Sequence, residues 1–188
     1  MKESNEQILV SRLLKKEEAA WKELFEVHSG GLAYVCSRYI TDRNSVNDVL
    51  QNSFIKMFRS IDSFEFRGDG SLKAWTTKIV VNESLKQIKQ KTDFKSISDD
   101  SQIPDVEDED EPGLEEISEQ EIMDIIHTLP DGYRTVFNLY VFEGKSHREI
   151  AELVGIAENS SASQFHRAKS MLARKIKEYK MSKTAQYE

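Results

Sequence analysis

Residues 146–177 read SHREIAELVGIAENSSASQFHRAKSMLARKIK. Ser146 followed three residues later by Glu149 is a capping box, in which hydroxyl and carboxylate each satisfy a free amide at a helix start. Ile150, Ala151 and Val154 recur at helical spacing and give a short helix with one apolar stripe. Gly155 stands where a helix ends in a left-handed conformation that only glycine adopts cheaply. Ile156 plugs the space before a second helix, which places Phe165, Leu172, Ile176 and Tyr179 on one face. Ser160, Ser163, Gln164 and Arg167 fall on another face, polar and compact enough for a major groove. The pattern predicts a helix-turn-helix. Periodicity alone leaves open an ordinary helical hairpin with a solvated basic tail. Charge argues for DNA, since Arg167, Lys169, Arg174, Lys175 and Lys177 meet only Glu178 before Lys180 and Lys183.

The chain of 188 residues suits one ordinary domain or two small ones. With 31% charged residues, 8 Gly and 3 Pro, the composition is that of a soluble, helix-rich protein. No run approaches the roughly 18 apolar residues of a membrane span, and residues 1–20 carry no secretory pattern. Cys36 stands alone, which fits a reducing compartment and a cytoplasmic location. The net charge of −7 is misleading for a DNA binder until it is divided. Residues 1–91 hold 15 basic and 12 acidic groups, net +3, and residues 123–188 hold 10 and 8, net +2. Residues 92–122 hold 1 basic and 13 acidic groups, net −12. Two mildly basic modules are joined by an acidic segment, so the global charge says nothing about partners.

The apolar pattern predicts a helix over residues 4–28, with Ile8, Leu9, Leu13, Trp21, Leu24 and Phe25 in the core. Gly30-Gly31 is read as a break, followed by a helix carrying Leu32, Val35, Cys36, Tyr39 and Ile40. After turn and cap residues at 41–45, Val46, Leu50, Phe54, Met57, Phe58 and Ile61 form the core stripe of a third helix. Asp48, Asn52, Ile55 and Arg59 form its outer stripe, with Gln51 and Lys56 at the edges. Phe64–Ser71 is a loop, and a last helix runs from about Leu72 to Lys89. Phe64, Phe66 and Trp75 are interleaved there with Arg67, Lys73 and Lys78. Aromatic rings among cations suit a single-stranded nucleic acid, stacking bases while neutralising the backbone. Residues 92–118 have too few apolar side chains to offset ordering entropy and read as a flexible acidic linker. Helices then begin near Ser118 and after Leu129-Pro130, giving a C-terminal module of four helices. His28, His127, His147 and His166 lie apart with no zinc spacing, and no phosphate-cradling glycine loop occurs. The sequence thus points away from an enzyme, a metal site or a cofactor.

Asp48-Val-Leu-Gln51-Asn-Ser-Phe54-Ile-Lys-Met-Phe58 resembles the core-polymerase-binding helix of bacterial sigma factors. Phe66-Arg-Gly-Asp-Gly-Ser71-Leu-Lys-Ala-Trp75, running on to Asn82, is similar to their promoter-melting segment. Leu129-Pro130 with Tyr133-Arg134, then Ser146 to Arg167, resembles their second conserved domain. The resemblance is to the extracytoplasmic-function (ECF) group of the sigma-70 family and covers roughly residues 17–91 and 119–180.

It implies an all-α protein of two small helical domains. Residues 1–91 would be a region 2-like domain for core polymerase binding and for −10 recognition and melting. Residues 92–118 would be the acidic linker, threading the channel later used by RNA, and 119–188 a region 4-like domain for −35 recognition. The core-binding face would hold Asp48, Gln51, Asn52, Ile55 and Lys56. The −10 and melting contacts would come from Phe64, Phe66, Arg67, Ser71, Lys73, Trp75, Lys78 and Asn82, the −35 contacts from Ser160, Ser163, Gln164, Arg167 and Lys169. Ala157, Ser161 and Ala162 depart from the family pattern, which commonly has a hydroxylated cap, an aliphatic residue and a lysine there. The implied partners are core RNA polymerase, promoter DNA and an anti-sigma factor. The runner-up function is a stand-alone helix-turn-helix regulator, which should carry a sensing or dimerising domain that residues 1–91 do not resemble.

Overall fold

The computed structural model describes residues 3–91, 94 and 117–185. Among these the chain is all helix: eight α-helices, one 3-10 turn and no strand. It forms two compact units, Met1–Ile88 and Lys89–Glu188. The predicted linker, residues 92–118, falls almost wholly outside the described residues.

The first unit contains α1 (Asn5–Leu14), α2 (Glu18–Ser37), α3 (Arg43–Ser60), a 3-10 turn (Ile61–Ser63) and the body of α4 (Ser71–Lys91). The single helix expected over 4–28 is two helices. α1 ends where Lys16 takes a left-handed φ of 58°, with Lys16 N–H donating to Leu13 C=O and Glu17 N–H to Arg12 C=O. These are the paired bonds of a Schellman end, with lysine in the glycine position. Conversely, α2 runs straight through Gly30-Gly31, where a break was expected, and neither glycine has positive φ. A helical glycine costs about 1 kcal/mol relative to alanine. Burial of Leu24 before the pair and Leu32 after it returns roughly 1.5–3 kcal/mol each, and so wins.

The core gathers Leu9, Val10, Leu13, Ala20, Leu24, Ile61, Phe64 and Leu72, with Trp21, Phe54, Phe66 and Trp75 packed against it. Two expected core residues, Ile8 and Phe25, are exposed. The buried stripe of α3 is Val46, Val49, Ser53 and Met57, rotated from the predicted one so that Leu50 and Phe54 are half-buried and Phe58 is exposed. Ser53 tolerates burial because its hydroxyl donates to the Val49 carbonyl at 2.7 Å. Cys36 is buried beside Ser84, and burial pushes its thiol pKa up.

The second unit holds α5 (Glu119–His127), α6 (Asp131–Val141), α7 (His147–Val154) and α8 (Glu158–Ala185), the four helices expected. Its core is Ile125, Ile126, Leu129, Tyr133, Ala168 and Leu172. Buried Arg134 ties the start of α6 to the end of α5, donating to the Leu129 carbonyl at 2.7 Å and pairing with Asp131. Far along α8, the Tyr179 hydroxyl and Lys183 both bind Glu121, the same carboxylate that closes the capping box of α5 with Ser118.

Candidate nucleic-acid and protein interfaces

The helix-turn-helix follows from three local choices. Ser146 and Glu149 form the predicted reciprocal cap at the start of α7, with Ser146 N–H donating to Glu149 Oε2 at 2.9 Å. Donation from that amide, from Lys145 and from the Ser146 hydroxyl holds the Glu149 carboxyl down to a pKa of about 2. Gly155 ends the helix at φ 80°, ψ 37°, with its N–H on the Ala151 carbonyl. Ala157, which precedes α8, has no side-chain oxygen to cap it.

On α8 the predicted reading face is only partly open. Ser163 and Lys169 are exposed, Ser160 and Arg167 half-buried, and Arg167 donates to the Tyr133 hydroxyl at 3.5 Å. Gln164 is 1% exposed, which corrects its assignment to the outer face. The reason is helical phase: Ser161, Gln164, Ala168 and Leu172 share one stripe, and all four are buried. Gln164 Nε2 donates to the Phe94 carbonyl at 3.4 Å, while Oε1 has no partner among the described residues. Ser161, atypical in sequence, is used inside the unit, its hydroxyl 3.1 Å from His147 Nδ1. Lys169 lies about 120° around the helix from Ser163, so the two do not share a side. His166 and Ser170, which lie along the open side with Ser163, were not singled out in the sequence.

In the first unit Gly68 and Gly70 take φ of 111° and 90° and shape the loop before α4. Phe64 is 9% exposed and belongs to the core, its ring 5.1 Å from that of Trp75. It is therefore a support beneath Trp75 and not an open stacking platform, a second correction. Phe66 and Trp75 are half-buried, and exposed Arg67 pairs with Glu65 at 3.0 Å. Ser71, Trp75, Lys78 and Asn82 follow one another at helical spacing on one side of α4. Lys73 stands about 140° from Lys78, near enough to His28 to disfavour its protonation.

Asp48, Gln51, Asn52, Ile55 and Lys56 are all exposed on α3, and Lys56 reaches Glu83 of α4 at 2.7 Å. Ile55 is 49% exposed. Beside this stripe runs an aromatic ridge whose residues the apolar pattern assigns to the core. Phe58 is 46% exposed and packs edge-on against Trp21; Phe25, 54% exposed, lies against Phe54. The signal was available in the helical phase, since Gln51, Ile55 and Phe58 fall at i, i+4 and i+7.

Two family models match the chain: sigma-70 region 2 over residues 24–93 and sigma-70 region 4 over residues 119–172. An ECF RNA polymerase sigma-E factor of Haemophilus influenzae is 31% identical over 182 residues, covering 91% of this chain and 95% of the relative. The chain belongs to the ECF sigma factors of the sigma-70 family. ECF sigma-E factors of Salmonella typhimurium and Escherichia coli are each 29% identical, covering 91% of this chain and 94% of theirs. Among solved structures, CnrH in complex with the cytosolic domain of CnrY shares 19% identity at a TM-score of 0.49, covering 90% of this chain and 96% of that one. The sigma factor RpoE with the anti-sigma factor NepR from Bartonella quintana shares 22% at 0.49, covering 83% and 96%. As an ECF sigma factor the protein binds core RNA polymerase and directs it to promoters. The region 2 match does not favour the stand-alone regulator. No helix among the described residues is long and apolar enough to cross a membrane.

Proposed function

We propose that the labour of this ECF sigma factor is divided among the surfaces just described, with residues 1–91 and 119–188 acting as regions 2 and 4 and 92–118 as the linker between them. The observation that carries the reading is the exposed side of α3. Ile55, Phe58 and Phe25 stay about half exposed beside Asp48, Gln51 and Asn52, an apolar centre with a polar rim. That is the anatomy of a protein-binding surface, and it suits docking on core polymerase. Lys56, held by Glu83, lies at its edge.

Phe66, Arg67, Ser71, Trp75, Lys78 and Asn82 then receive the unstacked −10 strand, with Lys73 to one side and Phe64 supporting Trp75 from within. A base stacked on an aromatic ring is worth about 1–3 kcal/mol, comparable with the few kcal/mol that extrude it. Ser160, Ser163 and Arg167 meet the −35 duplex from the start of α8, and Lys169 contributes charge toward its backbone. The protein has no chemistry of its own and works in the cytoplasm, where polymerase and promoter are. An anti-sigma factor would cover the same apolar faces, including exposed Tyr140, Val141 and Phe142 of the second unit.

The test is reconstitution with core polymerase. Gln51→Ala with Asn52→Ala should leave stability within about ±0.5 kcal/mol per site while capture of core falls; Phe25→Ala with Phe58→Ala should weaken capture further. A holoenzyme that assembles equally well from both double variants would remove α3 from the interface.

A further inference from the structure

The loop before α4 is held from 64 residues away in the chain. Gly70 N–H and Leu72 N–H each donate to the Glu6 carboxylate at 2.8 Å, one to either oxygen, and the Ser71 hydroxyl donates to it at 3.4 Å. Ser71 Oγ in turn accepts from Arg67 N–H at 3.3 Å, so the anchor extends to the loop's exposed arginine. Glu6 sits in the first turn of α1, whose cap is Ser4, and is itself half-buried. The amides it binds include free donors of the first turn of a 21-residue helix, where a negative charge is also favoured by the helix dipole.

A carboxylate is a costly neighbour for a surface that receives a polyanion, unless its charge is already committed. Here each oxygen takes a backbone donor, and His28 stands close enough to feel the charge. Arg67 beyond it keeps its cationic end exposed. Gly68 and Gly70, both at positive φ, give the loop conformational freedom that something must remove.

We propose that Glu6 is a positioning residue for promoter opening: it clamps the Phe64–Gly70 loop in the shape that receives the unstacked −10 strand. The inference rests on the reading of that loop as the melting element. A preset loop avoids ordering entropy at the moment of capture, and small misplacements in such sites cost large factors in rate.

Full-length Glu6→Gln and Glu6→Ala variants test it. In the free protein, amide hydrogen exchange at Gly70 and Leu72 should accelerate and thermal stability should fall modestly with the lost bonds, while core binding stays near the parent's. In holoenzyme, closed complexes should form normally, and permanganate reactivity of promoter thymines should develop about ten- to a hundredfold more slowly, the factor set by losing one hydrogen bond to a charged group. Templates mismatched across the start region should restore transcription. Among such templates the preference for one base in the −10 strand should flatten, a change that general loss of stability would not produce. Phe66→Ala and Arg67→Ala are assayed alongside. If they slow opening but the Glu6 variants do not, or if Gly70 and Leu72 stay protected without the carboxylate, the clamp is overturned while the loop keeps its role. If neither set slows opening, the loop is not the melting element and the inference falls with it.

Discussion

Gln164 carries a carboxamide into a stripe of α8 that is otherwise Ser161, Ala168 and Leu172, and one of its two polar ends finds no partner among the described residues. Burying an unpaired acceptor is costly, but the other polar end serves the buried Phe94 carbonyl, and removing one partner of a buried bond costs the desolvation of the group left behind. Gln164→Leu relieves the unpaired Oε1 but strips the Phe94 carbonyl of its donor, so it should lower unfolding free energy by about 1–3 kcal/mol at most and leave the −35 base preference unchanged. Selection of functional −35 variants from a randomised library would expose an error: relaxed preference at one position would return Gln164 to the DNA face. Its burial was not legible in sequence, because polar residues on a short basic helix invite an outward reading and only the phase against Leu172 decides. A second residue, His28, is defined by what surrounds it. Burial lowers its pKa from the usual 6.5, Glu6 acting in the opposite sense and Lys73 in the same one. The unfolded chain thus takes up the proton first. His28 is neutral in both states well above pH 6.5, and stability is lost as pH falls through 6.5 toward the lower folded value. Denaturant melts across that window should show a smaller slope for His28→Gln than for the parent; equal slopes would mean that His28 is not the group involved.

At the scale of elements, what the sequence disclosed depended on whether the signal was local. The capping box of α7, the left-handed Gly155, the loop at 64–70 and the four helices of the second unit were all legible, because each is set within a few residues. The course of α2 through Gly30-Gly31 and the Schellman end at Lys16 were not, because burial on both sides overrode local preference. The aromatic ridge is not legible for a related reason: in sequence an exposed apolar residue looks like one facing a core. Glu6 was invisible, its hydrogen-bond partners lying 64 and 66 residues away. The turn itself offers a clean measurement. No atom lies within 4 Å of a Cβ built on Gly155, so Gly155→Ala meets no clash and feels only the left-handed backbone. That should cost about 1–2 kcal/mol, and Ser146→Ala at the other end of α7 about 1 kcal/mol. Stability of both variants by urea titration checks this; a neutral Gly155→Ala would mean the turn readily adopts another conformation. The paired cap also titrates. With its folded pKa held at about 2 against 4.5, Glu149 contributes stability above pH 4.5 that is lost as pH falls toward 2. Ser146→Ala should flatten that acid limb.

Across the whole molecule, the charge is partitioned so that its total hides its function. The net of −7 comes from residues 92–122, net −12, while the residues on either side of that segment are net positive. A sigma factor that bound any duplex tightly on its own would be drawn away from polymerase, since non-specific DNA binding is almost wholly electrostatic. The acidic segment should lower the attraction of the free protein for phosphate, while the base-specific contacts proposed for α8 should be unaffected by it. Changing Asp105, Glu107, Asp108, Glu109, Asp110, Glu111, Glu115 and Glu116 to their amides raises the formal net charge from −7 to +1. The free variant should bind non-specific duplex several-fold more tightly at about 50 mM salt, with the difference shrinking by about 200 mM as screening takes over. Fluorescence anisotropy with a labelled random duplex, run at both salts, measures this directly. In holoenzyme the ranking of −35 variants should be the same for variant and parent, because the readout proposed for Ser163 and Arg167 does not involve the substituted residues. If the two proteins bind random duplex equally at the lower salt, the segment does not shield the basic modules. Its acidity would then have to act only within the polymerase.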